Sequence, residues 1–181
     1  MGNMTLGRLD ETILFTLSAA KERGISNLSK FELMKLIYLI EVNSMRYIGE
    51  QFTQSVKFVR EKNGPISYDI YKSTEKLQAL GLIDIELTDN PEYGYPRYCH
   101  SLKKSLPELS FEDSEKMFLE SVLSDYLGLQ IAKLKAVAYG TEPMQEMMRE
   151  EKELGVKTLK GKKIDFDTVH LDEDVMAGMM L

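Results

Sequence analysis

The sequence predicts a mainly α-helical protein of the α+β class with one small β-hairpin. Apolar residues recur at helical spacing over most of the chain, and several of these segments begin at a capping residue and end at glycine. Residues 82–87 instead alternate apolar and acidic side chains, and a loop containing Asn90, Pro91 and Gly94 follows them, which predicts the hairpin. With 181 residues and a hydrophobic fraction of 43%, the chain can build a core of its own.

Two helices are predicted at the start of the chain. Residues 8–23 carry an amphipathic pattern that ends at Gly24. In the next segment, Ser29 and Glu32 have the spacing of a capping box, in which each side chain accepts a hydrogen bond from the other residue's backbone N–H. This second helix extends to about Tyr47 and is apolar on most faces, which is typical of a central, buried helix.

A third helix follows a bend. An extended run at residues 55–60 leads to the turn Asn63-Gly64-Pro65, where a helix cannot continue. Ser67 then begins a helix that closes at Gly81, and the hairpin formed by residues 82–87 and 95–102 comes next. The predicted elements follow the order of a winged-helix unit, which is helix, helix, extended run, helix and hairpin. The sequence therefore predicts a winged-helix-like half.

The second half of the chain is predicted to be helical. Ser110 is expected to begin a helix that ends near Leu127, a further helix continues from residue 131, and a last one begins at Thr141 and fades near Gly155. Residues 156–181 show no helical period. We therefore expect a helical domain over residues 1–155 and a C-terminal tail over residues 156–181.

Composition excludes several classes of protein. Lys and Arg number 23 against 29 Asp and Glu, a net charge of −6, whereas proteins that bind nucleic acids usually present a basic face to the phosphates. The negative net charge disfavours a nucleic-acid partner, although a local basic patch could still exist. No stretch of about eighteen apolar residues predicts a membrane-spanning helix. A single cysteine and the lack of a secretory signal predict a cytoplasmic protein.

The sequence offers no set of residues for catalysis or metal binding. Cys99 and His100 are neighbours on a predicted strand and must point to opposite faces. Together with His170 they fall short of the four ligands of a structural zinc site. Ser/His/Asp and Cys/His sets and a glycine-rich phosphate loop are also missing from the sequence. We assign no catalytic residue, no metal ligand and no cofactor.

Candidate partner-binding residues lie in the central helix and in the hairpin. Lys35 and Tyr38 are neighbours on the helix surface; they either close the core, with the lysine stem buried, or form the rim of a partner groove. Tyrosine and arginine are enriched in binding hot spots, although rings at a hairpin can also cover the sheet. The candidates are Lys35, Tyr38, Tyr93, Tyr95, Arg97 and Tyr98, and we assign structural roles to Gly64, Pro65 and Gly81.

Several segments resemble, in order and spacing, the Panacea domain of SocA-like antitoxins. They are residues 33–39, Gly49, Asn63-Gly64-Pro65 and residues 77–83, with residues 138–143 and 161–166 similar to its C-terminal part. The chain departs from the family pattern at Met34, Asn63 and Met144, where members often have glutamine, an aromatic residue and tryptophan. The resemblance implies a non-enzymatic antitoxin that binds a toxin and either blocks it or delivers it to a protease.

Three functions stay open on the sequence alone. The first is a toxin-neutralising, protein-binding module in the cytoplasm. The second is a winged-helix transcriptional regulator that binds DNA, and the third is a structural factor of a phage or another mobile element. The apolar residues 175–181 are a further feature: they dock on this chain, on a second copy or on a partner, or they form a tail that a protease recognises. The oligomeric state is not predicted.

Overall fold

The predicted class is confirmed: the protein is mainly α-helical with small antiparallel sheets. The computed structural model describes residues 5–89 and 94–174. In chain order the described elements are α1 (Arg8–Glu22), β1 (Leu28–Ser29), α2 (Lys30–Tyr47), β2 (Val59–Glu61), β3 (Gly64–Ile66), α3 (Tyr68–Ala79), β4 (Ile83–Thr88), β5 (Arg97–Leu102), α4 (Asp113–Tyr126), α5 (Ile131–Tyr139), α6 (Glu142–Leu154) and a short 3-10 helix, Phe166–Thr168.

Helix α2 is the centre of the fold. Its capping box is confirmed, because Glu32 donates its backbone N–H to the Ser29 hydroxyl at 3.2 Å and accepts the Ser29 N–H at 2.8 Å. Every residue from 33 to 44 is buried. Helices α1, α4 and α5, three of the strands and the 3-10 helix pack around α2, as its apolar faces predict.

The predicted hairpin is confirmed and is attached to the start of α2. Strands β4 and β5 pair antiparallel from Ile83 opposite Leu102 to Thr88 opposite Arg97. Strand β1 pairs with β5 on its other side, which gives the order β1-β5-β4. Because β1 leads directly into α2, this pairing holds the hairpin beside the first turn of α2. The winged-helix assignment stays a prediction.

The bend before α3 is itself a small hairpin. Glu61 pairs with Gly64 and Val59 with Ile66, so Lys62 and Asn63 form the turn, while Gly64 and Pro65 lie in β3. The extended run predicted at residues 55–60 is a strand only from Val59 onward. At the other end of α3, Gly81 has φ +69° and the Leu82 N–H donates to the Leu77 carbonyl at 3.0 Å, which closes the helix.

The predicted start of α4 at Ser110 is wrong. The helix begins at Asp113 and its N-cap is Glu112. Ser110 is held by α1 instead, because its backbone N–H and its hydroxyl donate to the two carboxylate oxygens of Glu11 at 2.9 and 2.6 Å. A tertiary partner thus uses the polar group that the local pattern assigns to capping.

The residues after α6 contribute side chains to the common core. Ile164, Phe166 and Val169 are buried. The Phe166 ring centroid lies 5.9 Å from that of Phe58, and the Ile164 N–H donates to the Phe58 carbonyl at 2.9 Å. Residues 175–181, for which we predict a partner or a protease, lie outside the described residues.

Candidate functional site

A groove of about 520 Å³ lies at the N-terminal end of α2. Its walls are the first turns of α2 and α3, the β2–β3 turn and residues 95–98 at the start of β5. We call it the aromatic groove, because its described lining includes five aromatic side chains, Phe31, Tyr68, Tyr71, Tyr95 and Tyr98. Three of these, Tyr68, Tyr95 and Tyr98, are 54 to 61% exposed.

Four of the six predicted partner-binding residues line this groove. Lys35, Tyr95, Arg97 and Tyr98 come from α2 and from the hairpin, and the β1–β5 pairing brings them together. The Arg97 guanidinium carbon lies 5.2 Å from the centroid of the Tyr95 ring. The hairpin and the central helix, which are separate candidates in the sequence, therefore form one surface.

The other two candidates do not line the groove. Tyr38 is 0% exposed, its ring packs edge-on against Phe58, and its hydroxyl lies 2.7 Å from the Thr141 hydroxyl oxygen. It is a core residue of this fold, which is the first of the two alternatives that the sequence leaves open. Tyr93 lies outside the described residues.

Sequence reasoning missed a group of groove residues on α2 and α3. Lys30 places its ammonium nitrogen 3.8 Å from the ring centroid of Tyr71 and 6.0 Å from that of Tyr98. Tyr68 packs edge-on against Tyr71 with centroids 6.0 Å apart. Two tyrosines three residues apart in the first turn of a predicted helix form one stripe, and this spacing could have indicated them.

The chain matches the model of a protein family described as antitoxin SocA-like, Panacea domain, over residues 33–143. This range is more than half of the 181 residues. The chain belongs to the SocA-like Panacea family. No curated protein and no solved structure matches it.

The Panacea match contains most of the groove. It begins at Leu33 in the first turns of α2, includes α3 and the hairpin, and ends at Pro143 in the first turn of α6. The aromatic groove is therefore largely a feature of the matched domain, with Ser29, Lys30 and Phe31 just before it.

Lys35 forms the floor of the groove. Its side chain is 1% exposed, its ammonium nitrogen donates to the Pro65 carbonyl at 2.8 Å, and it lies 4.6 Å from the centroid of the Phe31 ring. Burial lowers the pKa of Lys35 to about 7, and the nearby charges of Lys135 and Arg60 act in the same direction. The groove floor thus holds an amine that changes charge near neutral pH.

Gly64 sets the position of this floor. Its φ of +103° lies in the region that favours glycine, and a Cβ at this position would lie 3.0 Å from the Tyr139 ring and 3.3 Å from the Lys35 side chain. The backbone of β3 can therefore approach both side chains only because residue 64 has none.

We expect Gly64→Ala to lower the free energy of unfolding by about 1–3 kcal/mol, because it combines a strained φ with a close contact. Urea denaturation followed by circular dichroism measures this. Gly24→Ala is the matched control, since Gly24 also has a positive φ, +78°, but a Cβ added there would meet no atom within 4 Å. An equal loss in both variants would show that the contact with Lys35 and Tyr139 contributes nothing.

The part of the chain that the structure describes includes neither a cluster of metal-ligating side chains nor a helix suited to crossing a bilayer. Within residues 5–89 and 94–174, no group of three His, Cys, Asp or Glu side chains is placed to hold a metal ion. Among the same residues, no helix combines the length and the apolar character needed to cross a bilayer. His100 is buried in the sheet, with its Nδ1 atom 3.3 Å from the Leu28 carbonyl oxygen.

Proposed function

We propose that this Panacea-domain protein is a non-enzymatic antitoxin of the cytoplasm that binds a protein toxin in the aromatic groove and blocks it. Membership of the SocA-like antitoxin family supports the antitoxin role. The observation that carries the site is the groove itself, where exposed tyrosines from α3 and from the hairpin lie together beside the start of α2. The single cysteine, Cys99, agrees with a reducing compartment.

The exposed rings favour a protein partner. Tyr68 and Tyr98 leave more than half of their surface in water, at 56 and 54% exposure. Covering such a ring stabilises a complex by about 1.5–3 kcal/mol. Tyrosines at the centre of a concave surface are typical of binding hot spots. The groove therefore has the chemistry of an interface, although its rings also pack against each other.

Co-expression tests the antitoxin function. We expect the product of a gene adjacent to this one to arrest growth when expressed alone and to be harmless, and to copurify, when this chain is co-expressed. Immunoblotting of the toxin in the rescued cells separates direct blocking, which leaves its amount unchanged, from delivery to a protease, which lowers it. Adjacent gene products that are harmless alone, or a toxic one without rescue, would contradict the proposal.

The double variant Tyr68→Ala/Tyr98→Ala is expected to weaken toxin binding by at least tenfold and to abolish rescue, because hot-spot tyrosines each contribute about 2 kcal/mol. Isothermal titration calorimetry measures the affinity, and the melting temperature should be nearly unchanged because both rings are exposed. Tyr47→Ala is the control, since Tyr47 is 41% exposed near the opposite end of α2. If wild type and the double variant bind the toxin with equal affinity, the toxin does not bind in the groove.

A further inference from the structure

The groove has a different charge from the chain as a whole. The chain carries −6, yet the described lining residues include three cationic side chains, Lys30, Lys62 and Arg97, together with Lys35, whose pKa burial lowers to about 7, and one carboxylate, Glu61. Two further lysines border these residues: Lys160 lies 3.9 Å from the Glu61 carboxylate, and Lys135 lies 3.4 Å from the Asn63 side-chain oxygen. Cationic side chains therefore outnumber carboxylates among the described residues that line and border the groove.

Aromatic rings position several of these cations. The Lys30 ammonium lies over Tyr71 at 3.8 Å, that of Lys35 lies 4.6 Å from Phe31, and the Arg97 guanidinium lies 5.2 Å from Tyr95. Cation–π contacts restrict where the charged ends can move. Cations that are already positioned lose less conformational entropy when an anionic group binds to them.

The groove also has an apolar part. Met34, which is buried, and Ile66, which is partly buried, line it together with Phe31. An apolar side chain of a partner can pack here while charged groups beside it face the lysines. The arrangement therefore suits a ligand that carries both an apolar group and negative charge.

We propose that the aromatic groove binds an acidic segment of its protein partner, in which carboxylates face Lys30 and Lys62 and one apolar side chain packs against Met34 and Ile66. This inference rests on the proposed function, because it names the chemistry of the surface that the toxin presents. Charge-assisted hydrogen bonds to carboxylates are stronger than neutral ones, and opposite charges accelerate association.

The contacts within the groove favour carboxylates over nucleic acid. Single-stranded nucleic acids bind by stacking bases on open aromatic faces. Here the ring of Tyr71 already carries the Lys30 ammonium and that of Tyr95 contacts the Arg97 guanidinium, which leaves the exposed rings of Tyr68 and Tyr98 for stacking. Two charged side chains of α3 are also engaged within the fold, because Lys76 pairs with Asp10 at 2.5 Å and Asp69 accepts the Lys57 N–H at 2.9 Å.

Two peptides of equal length that differ only in charge test whether the groove binds an acidic segment. One has nine residues with four glutamates around a central leucine, and in its twin glutamines replace the glutamates. Titrated into the ¹⁵N-labelled full chain, the acidic peptide is expected to shift the amide signals of the groove residues and to bind at least tenfold more tightly than the twin at low salt. The difference should shrink as salt is added, because salt screens exposed charges.

The double variant Lys30→Glu/Lys62→Glu should weaken binding of the acidic peptide at least fivefold. Lys30 is the first residue of α2 and Lys62 lies in a turn; an acidic residue is favourable in the first turn of a helix, so the fold should tolerate both changes. Lys21→Glu/Lys133→Glu is the matched control, since it changes the net charge equally at two exposed lysines outside the groove.

Four results of the peptide experiments would overturn this inference. They are equal affinity for the two peptides, no shift at millimolar peptide, shifts confined to other surfaces, and an equal effect of the control variant. If a single-stranded oligonucleotide binds the groove more tightly than the acidic peptide, the ligand of the groove is nucleic acid and not an acidic protein segment. Toxin rescue that survives in Lys30→Glu/Lys62→Glu would overturn the acidic-segment inference alone, whereas failure of wild-type rescue would overturn the antitoxin function.

Discussion

Replacing Glu151 with alanine is expected to lower the free energy of unfolding by about 3–5 kcal/mol, because it leaves a buried guanidinium without its carboxylate. Arg60 and Glu151 are 4 and 5% exposed. The two Glu151 oxygens accept hydrogen bonds from Arg60 at 2.7 and 3.2 Å, in a bidentate pair.

This ion pair connects several parts of the chain. The Arg60 guanidinium also donates to the Tyr139 hydroxyl at 3.0 Å, and Glu151 accepts the Leu159 N–H at 3.0 Å. It thus joins β2, α5, α6 and the segment that follows α6. Arg60 holds the pKa of the Glu151 carboxyl below its usual range, so the pair is charged at neutral pH.

Urea denaturation at pH 7 measures the loss, and α6 supplies the control. Glu153 forms an ion pair with Arg149 at 2.7 Å, but both side chains are about 60% exposed, so Glu153→Ala should cost less than about 1 kcal/mol. The double variant Arg60→Met/Glu151→Leu should be more stable than Glu151→Ala, because it leaves no unpaired charge. A cost below about 1 kcal/mol for Glu151→Ala would contradict the expected role of the pair.

The second large effect is a pH dependence caused by Glu41. This side chain is 0% exposed in the middle of α2 and accepts the Thr53 N–H at 3.1 Å. Burial raises the pKa of Glu41 from its ordinary value of 4.5 to about 7, although hydrogen bonds from Thr53 and Gln51 partly oppose the shift. The folded state therefore binds the Glu41 proton more tightly than the unfolded state does.

The sign of the effect follows from this difference. The stability that the protonated Glu41 provides is fully present below pH 4.5 and is lost as the pH rises to about 7. A pKa raised from 4.5 to about 7 corresponds to roughly 3 kcal/mol at pH 8. Glu41→Gln cannot ionise. Its stability relative to wild type should therefore increase by about 2 to 3 kcal/mol between pH 5 and pH 8.

Urea denaturation of both proteins at pH 5, 6.5 and 8 measures this change. Lys35 also makes stability depend on pH, but in the opposite direction: its contribution to the free energy of unfolding is lost as the pH falls from 10.5 to about 7. Because wild type and variant both contain Lys35, comparing them at each pH cancels this contribution. Glu153→Gln, at an exposed carboxylate, is the control and should stay within about 0.5 kcal/mol of wild type throughout. A Glu41→Gln difference that does not change with pH would show that Glu41 stays ionised in the folded protein.

The sequence determined the elements and the family. The capping box at Ser29, the glycine that closes α3 at residue 81 and the alternation in β4 are signals between residues close in the chain. Such signals depend on backbone geometry and hydrogen bonds that need no distant partner. They were sufficient for the order of the helices and for the hairpin, whereas the resemblance to the Panacea family rests on the order and spacing of short segments.

Tertiary structure alone decided which surface is the candidate site and which polar groups are buried. Lys35 and Tyr38 are three residues apart on one helix, yet only Lys35 lines the groove, because Phe58 and Thr141 enclose Tyr38. Glu151 gives no sign in the sequence that it meets Arg60, since the two are 91 residues apart. The position of a side chain relative to a core depends on how distant elements pack, and helical period and capping carry no information about that packing.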